Sequence, residues 1–389
     1  MSRVDELIAN HCPLGVDTRL LGDVAQLVRG NGMPKTVLTD GGIGAIHYGE
    51  IYTRYGVSTD STFSFVAPET ASKLTRADPG DVIITNTSEN LEDVGKAVAW
   101  LGEHPIVTGG HATVIKSAMD PKFLSYWFRT PSFFAQKKVL ATGTKVIDVS
   151  ARQLAKVRIP VPPLQAQREI VRILDKFTQL EAELEAELEG RRRQYEHYRE
   201  SLLTTDVAKS RPRRLDELFD LRAGKFIAAS KIVPTSNSVH SIPCFGGGGL
   251  RGYVTEPNQQ GELVLIGRQG ALCGNVKRAS GEFYATEHSV VVTPLGGVDI
   301  RWAFHLLTNL NLNQYASKSA QPGLAVGTLN RLVVDVPSLD EQLRVGSILD
   351  KFDALVNDLS LGLPAELAAR RKQYEYYRDR LLTFEEAAA

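Results

Sequence analysis

VPPLQAQREIVRILDKF at Val161–Phe177 returns late in the chain as VPSLDEQLRVGSILDKF at Val336–Phe352. Each copy leads through a variable stretch to a second shared block, RRRQYEHYRESLLT at Arg191–Thr204 and ARRKQYEYYRDRLLT at Ala369–Thr383. The interval from ILDKF (Ile173–Phe177, Ile348–Phe352) to the QYE-YR segment (from Gln194, from Gln373) is four residues longer in the second copy. That is close to one turn of a 3.6-residue helix, so the apolar stripe stays on nearly the same side. In the first copy Ile170, Ile173, Phe177, Leu180, Leu184, Leu188, Tyr195, Tyr198 and Leu202 advance by threes and fours. In the second, Val345, Ile348, Phe352, Leu355 and Leu359 do the same, and Leu367, Tyr374, Tyr377 and Leu381 resume the pattern. Gly362 and Pro364 between these runs predict a kink near 361–364. A narrow stripe, one copy of each per chain, predicts that the two helices pair with each other. From Gln165 to Thr204 the first would run roughly 60 Å, carrying the chain far from its start, so the second must run back antiparallel.

The duplication extends beyond the helices. LLGDVAQLVRG at Leu20–Gly30 matches RLDELFDLRAG at Arg214–Gly224, pairing Val24 with Leu218, Leu27 with Leu221 and Gly30 with Gly224. GDVIIT at Gly80 matches GELVLI at Gly261, GGHATVI around His111 matches TEHSVVV around His288, and DPKFLSYWF at Asp120 matches DIRWAFHLL at Asp299. Short apolar or alternating runs bounded by Gly, Pro, Asn and Asp read as strands and turns. The last pair reads as short helices capped by Asp120 and Asp299. The expected fold class is α+β: two mixed α/β domains, residues 1–160 and 206–335, separated by two long helices, 161–205 and 336–389, that form an antiparallel coiled coil in a pseudo-twofold internal repeat.

Composition narrows the function. At 389 residues, each half is long enough to bury a core of its own. No apolar run approaches membrane length and MSRVDELIANHC lacks a basic-then-apolar leader pattern, so a cytoplasmic protein is expected. Cys12, Cys244 and Cys273 have no C-x-x-C spacing and suggest neither a disulfide framework nor a zinc site. Phosphate-loop, H-E-x-x-H and G-x-S-x-G patterns are missing, as are the cofactor and N/D-P-P-Y/F motifs of an adenine methyltransferase. Gly247–Gly252 fits G-x-G-x-x-G, but it leads into RGYVTEP, a strand and turn rather than the helix a pyrophosphate needs. His111 and His288 occupy matching positions beside strands and read as core or edge histidines, not as metal ligands. A non-catalytic chain is expected, with no metal and no cofactor of its own.

The I-P-V-P-P-L-x-x-Q segment at Ile159–Gln167, its partner V-P-S-L-x-x-Q at Val336–Gln342, the ILDKF cores and the QYE-YR-x-L-L exits together resemble the DNA-specificity (S) subunits of Type I restriction-modification systems. IPCFGGGGLRGYV at Ile242, LIGRQGALCGNV at Leu265 and ATEHSVVV resemble the loop-strand pattern of a target recognition domain in that family. The first domain departs from it, with HYGEIYTRYG in place of the glycine-rich turn and ITNTSENLEDVG in place of the GRQG segment. The resemblance implies a reader of double-stranded DNA in which each domain reads one half of a split, asymmetric site. The helices would set the gap and dock two methyltransferase (M) subunits, later joined by motor-nuclease (R) subunits. S-adenosylmethionine, ATP and Mg would belong to those partners.

On that reading, phosphate contacts come from basic side chains and backbone amides, and base readout from Arg, Lys, Asn, Gln and aromatic groups on loops. In the second domain the candidates are Lys225, Arg251, Tyr253, Arg268, Gln269, Asn275, Lys277, Lys318 and Gln321, which lie in or beside Gly-rich turns. Arg268 and Gln269 lead for base edges, because both can make bidentate contacts. In the first domain they are Lys35, His47, Tyr48, Arg54, Tyr55, Ser88, Asn90 and Lys145. Tyr195, Tyr198, Arg199, Tyr374, Tyr377 and Arg378 in the helix exits either dock the methyltransferase or pack against the opposite helix and domain. Two other readings stand beside this one: a specificity module of a non-Type I or stand-alone methylation complex, and a coiled-coil scaffold without DNA binding.

Overall fold

The computed structural model of the chain describes residues 3–204, 210–318 and 321–387. It divides into two compact units, residues 1–183 with 368–389, and residues 184–367. Each unit therefore holds one domain, the opening part of the helix that follows that domain, and the closing part of the other copy's helix.

In the first unit the core sheet is built from β1 (Ala25–Arg29), β2 (Val82–Thr85), β3 (Ala97–Trp100) and β4 (Ala112–Ser117). They lie in the order β1-β4-β2-β3, and Ser58–Thr59 adds in parallel at the edge. Every residue of β2 and β3 is buried, which is why these strands read as continuous apolar runs. Their two faces separate with period two. Val82, Ile84, Ala97 and Ala99 join Phe123, Leu124, Trp127, Ile170 and Leu174 from the helices, while Ile83, Val98 and Trp100 meet Ile46 and Ile106 from a second, five-stranded sheet and Ile51 from the helix Tyr48–Thr53.

The second unit repeats the plan. Its core strands β5 (Phe219–Ala223), β6 (Leu263–Gly267), β7 (Val276–Ala279) and β8 (Ser289–Pro294) lie in the order β5-β8-β6-β7. Val264, Ile266, Val290 and Val292 face Trp302, Val345 and Leu349, and Leu265 and Val291 face Phe283 and Ala285. The register corrects one of the sequence matches. Thr85 lies opposite Ala112 and Gly267 opposite Ser289, so with His111 equated to His288 the equivalent of Thr85 is Gly267. The match of GDVIIT to GELVLI was therefore slipped by one residue, and such a slip exchanges the two faces of a strand.

The shared helical motif gains a physical role from the contacts of its glutamines. Gln167 and Gln342 are 3% and 1% exposed. In the first unit the Asp120 amide donates to Gln167 Oε1 at 2.8 Å and Gln167 Nε2 donates to Pro162 O at 2.7 Å. In the second, Asp299 N and Pro337 O take the same places around Gln342 at 2.9 and 3.0 Å. The two aspartates cap the helices Pro121–Trp127 and Ile300–Asn309. Each P-x-L-x-x-Q thus ties the start of a long helix to the start of the helix packed beside it.

The first long helix is continuous over Leu164–Thr204. The second segment is two helices, Leu339–Asn357 and Leu363–Leu381. Between them Asp358 Oδ1 accepts from Ser360 N at 2.7 Å and Leu361 N at 3.1 Å, an Asx-type turn. In the first unit Phe177 stacks on Tyr377 at 5.4 Å and Arg371 Nε donates to Glu181 Oε1 at 2.7 Å; rising numbers on one helix meet falling numbers on the other, so the two helices of this pair are antiparallel. In the second unit Phe352 stacks on Tyr198 at 5.2 Å and on Tyr195 at 6.4 Å. Each ILDKF therefore packs on the QYE-YR block of the other copy. Its aspartate makes equivalent bonds in both units: Asp175 accepts from Tyr126 Oη at 2.8 Å and from Lys122. Asp350 is 2.8 Å from His305 Nε2 and accepts a bidentate pair from Arg278. Among the described residues no helix is long and apolar enough to cross a membrane.

Candidate nucleic-acid interface

In the second unit glycines let loops from five parts of the sequence converge at one end of the core sheet. A Cβ on Gly224, just after β5, would lie 2.3 Å from Thr286 O, and one on Gly267, at the end of β6, would lie 2.1 Å from Gly247 O. No larger residue permits these approaches. The backbone then fastens the loops together: Lys225 N donates to Ala285 O at 3.0 Å, Arg268 N to His288 O at 2.9 Å, Gly270 N to Pro322 O at 3.0 Å and Leu324 N to Arg268 O at 2.9 Å. Lys225, Arg251, Gln269, Lys277, Lys318 and Gln321 are exposed around this junction, and Arg268, Tyr253 and Asn275 are half-buried. Arg268 Nε is buried without a hydrogen-bond partner among the described residues. Gln269 Oε1 lies 2.5 Å from His288 Nδ1. Tyr253 sits farther along the hairpin, where its backbone pairs with Val233, and is not part of the junction.

The first unit has the same junction with different side chains. A Cβ on Gly30 would come within 1.9 Å of Gly109 O, and Asn86 N donates to His111 O at 2.8 Å. Beside it lies a cleft of about 580 Å³ lined by Arg29, Met33, Lys35, His47, Tyr48 and His111. The Tyr48 ring lies 4.5 Å from that of His47 and 4.8 Å from that of His111, and Thr87 Oγ1 is 2.9 Å from His111 Nδ1.

Several first-domain candidates are buried or bonded within their own turns. His47 is buried and caps the helix Tyr48–Thr53, its Nδ1 accepting from Gly49 N at 3.2 Å while Glu50 accepts from the His47 amide at 3.1 Å. Burial lowers its pKa, as do Lys35 and His111, against an opposing pull from Glu50, which suits a neutral ring used as a cap acceptor. Tyr55 is buried, and its hydroxyl accepts from Phe63 N at 2.9 Å; burial pushes its pKa up to about 12. Ser88 is buried in a strand paired with Ile147–Asp148. These three are thus engaged in local structure, although His47 also lines the cleft. Asn90 is exposed but bonds Asp93 within its own turn. Arg54 lies 3.9 Å over the Phe63 ring and 3.4 Å from Glu50. Lys35 and Tyr48 line the cleft, and Lys145 lies exposed on the turn after Gly143. Arg29, Thr87 and His111 also gather beside this junction, a placement that the aligned Gly30/Gly224 and His111/His288 pairs signal in the sequence.

Among the helix-exit candidates Tyr195 is buried, its hydroxyl 3.1 Å from His305 Nδ1 and 3.2 Å from Asp353 Oδ1. It belongs to the core of the second unit, not to an outer surface. Tyr374 is half-buried with Arg378 over its ring at 5.8 Å, and Arg199 lies 5.1 Å over Tyr195. Tyr198 and Tyr377, at equivalent positions, are 38% and 37% exposed.

The chain matches the family described as Type I restriction modification DNA specificity domain twice, over residues 13–190 and 209–369. It is 44% identical over 284 residues to the Type I restriction enzyme EcoprrI specificity subunit of Escherichia coli, covering 67% of this chain and 71% of that protein. It is 31% identical over 292 residues to the EcoR124I/EcoR124II specificity subunit of the same organism, covering 68% and 70%. Among solved structures, an S subunit of a Type I restriction-modification system from M. genitalium aligns with TM-score 0.59 and 16% identity over 94% of this chain and 96% of that one. A chain from a type I R-M system assembly aligns with TM-score 0.60 and 20% identity over 95% and 97%.

Proposed function

We propose, from the premise that this chain belongs to the family of Type I restriction-modification DNA specificity subunits, that it is the non-catalytic reader of a split, asymmetric duplex DNA site. Residues 1–160 read one half-site and 206–335 the other. The helical segments 161–205 and 336–389 set the unread gap and dock two methyltransferase subunits, which bring S-adenosylmethionine. Motor-nuclease subunits bring ATP and Mg, and the complex works in the cytoplasm.

The observation that carries this reading is the repeated loop junction. Two copies of one chain plan hold glycine-fastened loops at matching sites, Lys225, Arg251, Arg268 and Lys277 at one and Arg29 and Lys35 at the other. Their basic side chains suit phosphates, while their reading groups differ, as two unlike half-sites require. Tyr198 and Tyr377 offer equivalent exposed aromatic surfaces to two copies of one partner. The test is binding of the chain with its methyltransferase to duplex DNA across a salt series. A steep fall of log affinity with log salt supports the reading, and no DNA binding at low salt leaves the scaffold reading in its place.

A further inference from the structure

His111 and His288 are absorbed neither by the core nor by a metal site, yet the duplication places them identically. Each immediately precedes the return strand of its core sheet, β4 or β8, and its carbonyl accepts from the first residue of the turn after the neighbouring strand, Asn86 N at 2.8 Å and Arg268 N at 2.9 Å. Each has its Nδ1 held by the next residue of that turn, Thr87 Oγ1 at 2.9 Å and Gln269 Oε1 at 2.5 Å. The registers of Thr85 with Ala112 and of Gly267 with Ser289 make these holders structural equivalents. Thus the histidine is common to both domains while its holder differs.

A ring pinned at Nδ1 keeps one hydrogen-bonding edge, Nε2, in a fixed direction. His111 lines the cleft shared with Arg29, Lys35 and Tyr48, whose ring packs 4.8 Å away. For His288, Gln269 Oε1 holds Nδ1 and Glu287 Oε1 lies 3.3 Å from Nε2, so a base edge meets this ring by taking the place of the Glu287 contact, with the exposed Gln269 amide beside it. An imidazole exposed beside basic side chains, with orientation fixed by a second bond, has the form of a group that reads a base edge rather than one that neutralises a phosphate.

We propose that His111 and His288 are specificity-determining residues, one for each half-site, with Thr87 and Gln269 as their positioning residues. This rests on the reading of the chain as a two-part DNA reader. The experiment is selection of bound duplexes by the full complex of this chain with its methyltransferase, from libraries randomised in one half-site at a time. The wild-type complex must first return a split motif; its failure to do so would sink the DNA-reader reading itself. Given that motif, H111A loses preference on the order of tenfold at one position of the first half-site and leaves the second unchanged, and H288A does the reverse. The untouched half-site reports that the variant has folded. H111Q and H288Q supply a second, gentler substitution should either alanine variant fail to assemble. T87V weakens the same position that H111A does. Unchanged preferences in H111A and H288A, or equal loss of affinity for all sequences, would overturn the assignment, because a structural or phosphate-binding histidine gives those results.

Discussion

Replacing Asp350 by asparagine should loosen the second unit by an amount its own electrostatics set. The carboxylate is 26% exposed and sits between the fully buried His305 and the bidentate Arg278. Burial alone would raise its pKa, but hydrogen bonds from His305 and Arg278 overcome that and hold it at about 2, against an ordinary 3.8. A depression of that size corresponds to about 2–3 kcal/mol at neutral pH, at 1.36 kcal/mol per unit. The amide side chain of D350N would keep the shape and remove the charge, leaving the guanidinium only the looser contact with Glu262 at 3.8 Å, so the full cost is about 2–4 kcal/mol. Because the folded pKa is the lower one, this stabilisation is complete above the unfolded value. It is lost as pH falls from 3.8 through about 2. Amide hydrogen exchange of the helix Ile300–Asn309 in the intact chain measures it: D350N exchanges faster by about 1.5 to 3 orders of magnitude at pH 7, and most of the difference vanishes near pH 2. A D350N chain within about 0.5 kcal/mol of wild type at pH 7 would show that solvent screens the site and that the reasoning is wrong.

Deleting Leu184–Glu187 from the long helix removes about 6 Å of rise while keeping the apolar stripe within about 40°. Methylation mapping should then show a gap shorter by one or two base pairs between unchanged half-sites; an unchanged gap would contradict a spacing role. Arg268→Ala should relax sequence preference in the second half-site alone, and an intact preference would reduce Arg268 to a phosphate contact. Gln342→Ala strands the Asp299 amide and Pro337 carbonyl that it now bonds, at a cost of about 1–3 kcal/mol. Hydrogen exchange at the start of the helix Ile300–Asn309 reads that loss, and unaltered protection there would mean the glutamine link is dispensable.

The helices and their antiparallel pairing were legible because a 3.6-residue stripe and a repeated block carry both phase and partner. Asp120 and Asp299 were legible as caps because a cap is a local event. The slip between GDVIIT and GELVLI was not avoidable from the residues, since two apolar runs align equally well one position apart and only the pairing of Thr85 with Ala112 and of Gly267 with Ser289 decides. The second junction was readable because its glycines announce close backbone approach. In the first, polar and aromatic residues such as His47, Tyr55 and Ser88 look like surface groups, and only tertiary packing reveals their burial. Thr87 was invisible for the same reason: its meaning lies in a bond to His111, 24 residues away.

The central claim is that one chain reads two unlike half-sites through two copies of one plan. Long-read methylome mapping of a host expressing this chain with its adjacent methyltransferase tests that most directly. The account predicts a new modified motif with two dissimilar specified parts and a fixed unread gap, absent when this chain is omitted. A single uninterrupted motif, or the same methylation without this chain, would contradict it.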